Sequence, residues 1–519
     1  MKYTIVGSKG LNKDLNRHDL GDQFCTDSLN VRFREDSAEL FGGYSEQYDP
    51  PSVAPYHVQP VYVGTTRYLL YASLAKVYVV NGATHTNITR QTTGADVDYS
   101  ADETLLWNGG VFNGIPILNN GVDVPQMWNP VATATKLEAL TAWTATLRAK
   151  VIRPYKNYLV ALSITDTTPA PDAVYPHRVL WSHSATAGTV PDSWDISDAA
   201  KDAGETDLDG EDHLVDGLQM GDNFVIYKRR SAYLMSHVGG QYIMRFQRLF
   251  SEAGAMSQDC VVDLDGAHVV LGVSDLYIHS GDTVQSLLTR SMRRWLFENI
   301  DAENYERSFL AKSIHTNEIL VCFPQVGSTS CNRALVWNYK DNTFAVRELP
   351  NARAAANGAI EASLTNSWAA STSTWTNVSG VWAQASTVPD EQRLIIASPT
   401  DSALYLMESS NQANGAYIAG RMERTGLSLG VPESRKLITG IRPRFSSGSG
   451  ATVYISVGSS EDVYGTYSWT APQAFVIGTD YKIDVLKDAR YFGYRITSNS
   501  ALDWKLEGID FNIEPSGSW

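Results

Sequence analysis

Cysteine is scarce in this chain, with only Cys25, Cys260, Cys322 and Cys331 spread over 519 residues. They form no CxxC pair, and no histidine stands at zinc-ligand spacing from them, which excludes a zinc module of that type and a disulfide framework. Cys322 and Cys331 flank a predicted turn and are placed to pair. Buried free thiols in a reducing compartment fit the spacing better.

Long apolar runs and catalytic motifs are also missing. No run approaches the ~20 apolar residues that a membrane span needs, and the apolar stretch in residues 1–6 is too short for a signal peptide. We therefore expect a soluble chain. The sequence contains no GxSxG, GxxxxGK[ST] or HExxH motif. It predicts no enzymatic activity, no cofactor and no bound metal.

Positive charge is the third shortage. The chain has 42 Lys and Arg against 57 Asp and Glu, a net charge of −15, which argues against general affinity for nucleic acid. Compact basic clusters occur at residues 228–230 and at Arg290, Arg293 and Arg294, the latter beside Trp295. This second cluster is open to three interpretations: a phosphate contact, a salt bridge at a subunit rim or interface, or a solvated loop.

Helical periodicity is scarce, whereas β-hairpin patterns recur along the chain. Each pairs two apolar segments rich in Val, Ile, Leu and Tyr, bounded by Gly, Asn and Asp. They occur at 68–72 with 77–82, 158–162 with 179–181, 224–227 with 231–235, 268–271 with 275–281, and 318–322 with 334–337. A lone hairpin cannot bury both faces, so serial hairpins must stack as a β-propeller or a large sandwich.

The predicted fold class is all-β, a β-propeller followed by a C-terminal antiparallel β-sandwich. Residues 1–44 are predicted to be a loop plus a strand that closes or docks onto the propeller, and 45–429 the propeller itself. Alternating strands after a composition change at Gly430 predict the sandwich at 430–519.

Three local features remain open. Trp368, Trp375 and Trp382 stand in a polar insertion at 364–388, which predicts either a tip or interface surface or burial against the propeller. The acidic run at 205–212 suits either a calcium ion or a solvated loop. His268 and His279 are expected to face each other across a hairpin as structural groups.

Several phrases of the sequence together resemble the tail nozzle and packaged-DNA stabilisation proteins of short-tailed bacteriophages. They are GLNKDL at 10–15, DSLNVRFR at 27–34, GGY at 42–44, NGIPILNNG at 113–121, PQMW at 125–128, VLWS at 179–182, PDSWD at 191–195, GG at 239–240 ahead of Phe246, and ALVWNY at 334–339. The resemblance spans essentially the whole chain. It offers no catalytic residues to transfer.

The resemblance implies a structural virion protein, made in the host cytoplasm, that forms a nozzle ring of six copies below the portal and adaptor proteins. The ring would line the channel for genome retention and ejection, with DNA passing without tight binding. Adaptor or connector proteins are the implied partners, with tail fibres as a further candidate. The alternative function is a tail protein that binds or cleaves host-surface carbohydrate with its propeller face.

Overall fold

The structure is a computed structural model that describes residues 2–5, 9–48, 51–64, 66–82, 84–104, 106–240, 242–359, 392–430, 432–500 and 502–517. Helix in this part of the chain is limited to α1 (Arg293–Asn299) and one 3-10 turn (Tyr305–Arg307). No helix in these residues is long and apolar enough to cross a membrane. The other regular elements are β-strands, so the all-β prediction is confirmed.

The N-terminal part of the chain supplies short strands that pair with distant ones. They are β1 (Lys2–Ile5), β2 (Asp27–Leu29), β3 (Val31–Arg34), β4 (Ser37–Leu40) and β5 (Tyr44–Glu46). Only β3 and β4 form a hairpin with each other. The remaining pairings of this segment are made with strands more than 350 residues later.

Three four-stranded antiparallel sheets follow, each formed by consecutive strands. The first is β6 (His57–Val63), β7 (Thr66–Ala72), β8 (Val77–Asn81) and β9 (Thr84–Asn87), followed by a two-stranded ribbon of β10 (Gln91–Thr92) and β11 (Ala95–Asp96). The second is β12 (Asn108–Phe112), β13 (Ile115–Asn119), β14 (Gln126–Met127) and β15 (Glu138–Ala139). The third is β16 (Leu147–Tyr155), β17 (Tyr158–Asp166), β18 (Ala173–Trp181) and β19 (Gly204–Asp207).

Three more four-stranded sheets repeat the pattern. They are β20 (Leu214–Met220), β21 (Asn223–Lys228), β22 (Ala232–His237) and β23 (Met244–Phe250); β24 (Val261–Leu264), β25 (Ala267–Leu271), β26 (Leu276–His279) and β27 (Val284–Ser286); and β28 (Phe309–Ser313), β29 (Glu318–Phe323), β30 (Cys331–Asn338) and β31 (Thr343–Ala352). Helix α1 lies in the connection between the last two of these sheets.

The seventh sheet is completed by the N-terminal part of the chain. It contains β32 (Ala354–Ala359), β33 (Gln392–Ser398) and β34 (Ala403–Met407), with β5 as its fourth strand. The first strands of the seven described sheets contact one another in a closed circle, β32 lying against β6. No described sheet closes on itself. The contacts between sheets make the ring, and the predicted β-propeller therefore has seven blades in the described part of the chain.

The predicted hairpins are confirmed, and each one is the second and third strand of a blade. These strands lie between neighbouring blades and are covered on both faces, so all six residues of β29 are buried. The outermost strand of a blade meets solvent, and β9 has no buried residue. Continuous apolar runs are typical of strands with two covered faces. The middle strands could therefore be recognised from the sequence.

The last hundred residues form two larger antiparallel sheets. Their strands are β35 (Gln412–Ala413), β36 (Ala416–Leu427), β37 (Arg435–Ser447), β38 (Thr452–Ser460), β39 (Ser468–Trp469), β40 (Gln473–Val476), β41 (Ile483–Ala489), β42 (Tyr491–Ser500) and β43 (Lys505–Gly517). One sheet has the order β3-β4-β43-β37-β41, with β1 also on β43. The other centres on β36-β42-β38, with β2 on β36. It is continuous with the seventh blade, because Ala413 of β35 forms a parallel bridge with Tyr44 of β5.

Strand pairing crosses the predicted domain boundaries, although the division itself stays a prediction. Strand β36 precedes residue 430, yet it pairs along its length with β42. Residues 1–44 contribute strands mainly to the C-terminal sheets, and β5, which begins at Tyr44, completes the seventh blade. The N-terminal segment therefore ties the propeller to the C-terminal sheets.

All four cysteines are free and buried. The alternative in which Cys322 pairs with Cys331 is wrong, and the preferred expectation of buried thiols is confirmed. Burial raises the pKa of Cys25, Cys260 and Cys331 to about 12, so these thiols are protonated and unreactive at neutral pH.

Candidate functional site

Two features that the sequence analysis treated separately meet in space. Residues 10–15 carry the first phrase of the resemblance, and Arg290 to Arg294 form the basic cluster. The Asn12 side-chain amide donates to the Arg290 carbonyl oxygen at 3.0 Å. The backbone N–H groups of Lys13 and Asp14 both donate to the Ser291 carbonyl oxygen, at 2.9 and 3.1 Å. The N-terminal segment is thus fixed along the connection between the fifth and sixth blades.

Asn12 also holds its own segment in shape. Its side-chain oxygen accepts the N–H groups of Asp14 at 3.2 Å and Leu15 at 3.0 Å. An Asn side chain bonded to the backbone two and three residues later stabilises a turn. With both ends of its amide in use, Asn12 fixes the position of the next two side chains.

Asp14 caps α1 from far away in the sequence. Its two carboxylate oxygens accept the N–H of Arg294 at 2.9 Å and that of Trp295 at 3.3 Å. The residue at the N-cap position, Met292, has no side-chain oxygen and makes no capping bond. The first N–H groups of a helix have no partner within the helix. Asp14 therefore stabilises α1 and places Arg294 and Trp295 beside the N-terminal segment.

Lys13 lies at the centre of the site. Its ammonium group donates to one oxygen of the Asp27 carboxylate, and the Arg421 guanidinium contacts the other. The Lys13 nitrogen is also 5.1 Å from the centroid of the Trp295 ring, within the range of a cation–π contact. Burial, followed by the nearby Arg421 charge, lowers the pKa of Lys13 to about 8, while the Glu423 carboxylate acts in the opposite direction.

These residues border a cleft of about 560 Å³ between the N-terminal segment, α1 and β36. A neighbouring depression of about 290 Å³ shares four residues with it and extends towards the sixth blade. We call the larger space the open cleft. Its charged and aromatic lining comprises Lys13, Asp14, Arg17, Asp27, Arg294, Trp295, Glu298, Arg421, Glu423 and Tyr464.

Most of the charges in the open cleft are already paired. Asp27 binds Lys13 and Arg421, and Glu423 binds Arg495 at 2.7 Å. The side chains of Arg17 and Arg294 are exposed, and their guanidinium groups have no ion pair or hydrogen bond within the described ranges. One carboxylate, Glu298, is free in the same sense. The uncommitted charge is therefore two guanidinium groups against one carboxylate.

The predicted basic cluster divides into three different environments. Arg294 lines the open cleft. Arg293 donates from its Nε to the Ser274 carbonyl oxygen at 2.8 Å. Arg290 is exposed, stands at a φ of 55° and does not line the cleft. The role predicted for the three residues stays a prediction.

Trp368, Trp375 and Trp382 lie outside the described residues.

A second polar cluster lies where the first strands of the blades begin. Arg153 of β16 donates to both oxygens of Asp216, each at 2.8 Å, and to Asp259 at 2.6 Å. The Asp259 N–H donates to Asp216 at 2.9 Å, and Asp259 has a φ of 60°. His57 lies nearby, and burial lowers its pKa to about 4, against the opposing effect of Asp259.

The same end of the propeller axis carries a second ion pair between distant blades. Glu103, in the connection before the second blade, accepts from Arg307 at 2.6 Å. The carbonyl oxygen of Glu103 accepts from Arg353 at 2.9 Å, and its carboxylate accepts from Tyr56 at 3.4 Å. These contacts tie the connections that lead into the first, second, sixth and seventh blades. Carboxylates are so numerous in the chain that sequence alone could not select these.

A further cluster is largely enclosed where the N-terminal segment crosses the propeller. Arg32 contacts Glu318 at 3.5 Å and also contacts Glu408, and Arg347 donates to Glu408 at 2.7 Å. Both guanidinium groups stack on the Phe41 ring, at 4.4 and 4.7 Å from its centroid. We call Arg32, Glu318, Arg347 and Glu408 the buried ion cluster. None of the phrases or motifs identified in the sequence indicated that these four residues form one cluster.

The remaining sequence candidates are the acidic run at 205–212 and the pair of histidines. Within the acidic run, Arg178 pairs with Glu205 at 3.3 Å and Asp207 at 2.9 Å. The described residues contain no group of three or more His, Cys, Asp or Glu side chains that could hold a metal ion. His268 and His279 face each other in register, as predicted, and both contact the Tyr227 hydroxyl, at 2.8 and 2.6 Å.

Comparison with known proteins finds only distant structural similarity. No family model and no curated protein matches the chain. Similar solved structures include the WD40 β-propeller domain of Doa1, with 8% identity, a TM-score of 0.37, and coverage of 71% of this chain and 97% of that one. The β-propeller domain of Cps50 (Swd1) from Myceliophteria thermophila has 8% identity, a TM-score of 0.37, and coverage of 72% and 100%.

An enzyme is also among the similar structures. The exo-beta-1,3-galactanase from Phanerochaete chrysosporium has 8% identity, a TM-score of 0.24, and coverage of 91% of this chain and 100% of that chain. The expectation that this protein is not an enzyme is contradicted by this finding, and we withdraw it. A likeness at this TM-score assigns no activity to the chain.

Proposed function

We propose that the protein is a structural subunit of a phage tail nozzle, forming a ring of six copies through which packaged DNA is retained and then released. The observation that carries this proposal is where the family-like phrases lie. GLNKDL at 10–15 fixes α1, DSLNVRFR at 27–34 enters both C-terminal sheets, and GGY at 42–44 leads into the seventh blade. All three phrases lie at contacts that join the parts of the molecule.

The glycines of the third phrase have a steric reason to be there. A Cβ at Gly42 would collide with the Glu408 carboxylate, and one at Gly43 with the backbone of Gln412. Larger residues would separate the N-terminal segment from the seventh blade. A joint of this kind favours a rigid subunit, because close-packed protein interiors have low compressibility. Rigidity is what a ring under internal pressure requires.

The contacts at the propeller axis favour a DNA channel that lies between subunits. They argue against a channel through the centre of a single propeller. The ion pair between Glu103 and Arg307 joins the connections into the second and sixth blades across one end of that axis. Arg153, Asp216 and Asp259 form further ion pairs between the third, fourth and fifth blades at the same end. A DNA strand would have to break them to pass. The net charge of −15 further suits a wall along which DNA slides, since phosphate binding depends on Lys and Arg.

The remaining parts of the proposal concern domains and partners. The two C-terminal sheets act as a β-sandwich that, with the N-terminal strands, contacts adaptor or connector proteins. Tail fibres are further partners, and the location is the virion. The domain limits 1–44, 45–429 and 430–519 belong to the same proposal.

Electron microscopy and a DNA retardation assay test this function. Negatively stained protein at about 0.1 mM, above the dissociation constant of even a weak specific interface, should show closed six-fold rings. The same rings should not retard double-stranded DNA at about 150 mM salt. A chain that stays monomeric overturns the ring, and sub-micromolar DNA binding overturns the sliding wall. Glycan binding by a monomer would replace the proposal with the carbohydrate-binding alternative.

A further inference from the structure

We infer that the open cleft is the socket for an acidic loop of a second copy of this chain, residues 205–212. The inference rests on the proposed ring and names the contact that would build it. Arg17 and Arg294 would receive the carboxylates of Asp209 and Glu211. Nothing in the blade pattern or in the resemblance selects these residues.

The socket side offers charge that the chain itself does not use. The guanidinium groups of Arg17 and Arg294 are exposed and unpaired within the described residues, while the other basic groups of the cleft are bound to Asp27. Arginine forms bidentate bonds with carboxylates and is enriched at protein interfaces.

The socket is also preorganised. Asp14 fixes the turn of α1 that carries Arg294, and Asn12 fixes Asp14. Two aromatic residues border the space, with Trp295 half-buried and Tyr464 59% exposed. Rigid aromatic side chains beside arginine are the usual composition of an interface centre. Little conformational entropy would be lost when a partner binds there.

The proposed occupant has free charge of the opposite sign. In the acidic run, Glu205 and Asp207 are held by Arg178, and Asp212 accepts from the Arg230 N–H at 2.9 Å. The carboxylates of Asp209 and Glu211 are exposed and have no partner among the residues described. The two free carboxylates of the densest acidic run thus match in number the two free guanidinium groups of the cleft, where Glu298 is the one free carboxylate among the described residues.

The placement of the two surfaces fits a ring. The acidic run joins the third blade to the fourth, whereas the cleft adjoins α1, between the fifth and sixth blades, and β36. A contact between two different surfaces is heterologous, and such contacts generate closed rings when the rotation closes. A self-complementary patch would instead produce a closed dimer.

A charge swap tests the contact directly. The variants are R17E/R294E, D209R/E211R and the four-fold combination, with R245E/R442E as the matched control. Arg245 and Arg442 are exposed, have no side-chain partner among the described residues and lie outside the cleft. Association is measured by sedimentation velocity over a concentration series at about 150 mM salt. Each variant must keep the wild-type melting temperature, as surface substitutions usually do.

We expect each double reversal to weaken association on the order of 100-fold, because close charge pairs at interfaces couple strongly. The combination should recover to within about tenfold of wild type, and the control should stay within about threefold. If R17E/R294E associates as tightly as the control, or if the four-fold combination does not recover association, the proposed socket is wrong. The proposed ring is not contradicted by either result. If wild-type protein forms no ring, the proposed function fails and the socket with it.

Discussion

The buried ion cluster and the open cleft are built from the same residue types but have opposite properties. In the buried ion cluster, Arg32 and Arg347 are enclosed, with side chains 4% and 5% exposed, and both contact Glu408. In the open cleft, Arg17 and Arg294 face solvent without partners among the described residues. Both sites hold the N-terminal segment against the body of the molecule.

Burial accounts for the difference. An enclosed charge must be paired, since its lost hydration costs several kcal/mol, so the buried ion cluster has no capacity for an external ligand. Burial would raise the pKa of Glu408, yet Arg32 and Arg347 outweigh it and hold that pKa below its ordinary value. For Glu318, burial wins over Arg32 and the pKa lies above its ordinary value. Charges at the cleft remain available because water solvates them.

The largest expected effect comes from breaking the buried ion cluster. Glu408→Ala removes the partner of both guanidinium groups and the acceptor of the Gly42 N–H. We expect the free energy of unfolding to fall by about 3–5 kcal/mol, because the buried Arg347 loses its charged partner and Arg32 keeps only its longer contacts with Glu318 and Glu39. Denaturant titration followed by tryptophan fluorescence measures the loss. Glu461→Ala, at a half-exposed pair with Arg435, is the control and should change stability by less than about 0.5 kcal/mol.

A buried network without charge provides the next comparison. The Nε2 of His268 donates to the Gln219 carbonyl oxygen, so its Nδ1 accepts from the Tyr227 hydroxyl, which in turn accepts from His279 Nε2. The Nδ1 of His279 has no partner in the described structure. Burial, followed by the neighbouring His268, lowers the pKa of His279 to about 4. Tyr277 and Phe250 are the other rings packed on it.

This network predicts a pH dependence. Between pH 6.5 and about 4 the unfolded chain binds a proton at His279 that the folded chain does not. Stability contributed by His279 is therefore complete above pH 6.5 and falls, by roughly 3 kcal/mol in total, as the pH drops to about 4. Melting temperatures of wild type and His279→Gln between pH 4 and 7 measure the effect. Equal slopes for the two proteins would contradict it.

Removing the distant helix cap should have a moderate effect. Asp14→Ala leaves the N–H groups of Arg294 and Trp295 without their acceptor. We expect a loss of about 1 kcal/mol, the usual cost of a missing cap, and faster amide hydrogen exchange in α1. Asp14→Asn keeps an oxygen acceptor and should recover most of the stability. An unchanged exchange rate in the alanine variant would show that α1 does not need Asp14.

The smallest effect is expected at Lys13. Because its pKa is lowered to about 8, the unfolded chain binds more protons between about pH 8 and 10.5, and stability rises with pH in that window. Lys13→Met should remove this rise and change stability at pH 7 by less than about 1 kcal/mol, since Asp27 keeps Arg421 as a partner. Lys156→Met, at a pair with the exposed Asp222, should leave the rise intact. Denaturant titrations from pH 7 to 10.5 distinguish the two variants.

The hairpins were predictable because the signal was local. In β25 and β26, for example, apolar runs of four or five residues are bounded by short turns. The turn before β25, Asp265-Gly266, has the two positive φ angles that a tight turn needs. The pairing of His268 with His279 was predictable for the same reason, because the two residues are close in the sequence. In the outer strands of the blades, apolar and polar residues alternate less clearly, so these strands were harder to recognise from the sequence.

The joints were not predictable, because they link residues that share no local pattern. Asp14 caps a helix 280 positions away, and Arg32 meets Glu408 across 376 positions. Each residue is an ordinary polar residue in its own segment. Arg294 was singled out by its basic neighbours, whereas Arg17 was missed, since one arginine in a loop carries no signal.

By itself, the sequence determined the β-hairpin repeat, the buried middle strands and the acidic net charge. The repeat and the buried strands follow from side-chain hydrophobicity and turn chemistry within short segments, and the net charge follows from composition. Only the tertiary structure decided how many blades close the ring and which charges are enclosed or left free at a cleft. Pairing and desolvation of charges depend on groups brought together from distant parts of the chain, and a linear pattern does not record which groups meet.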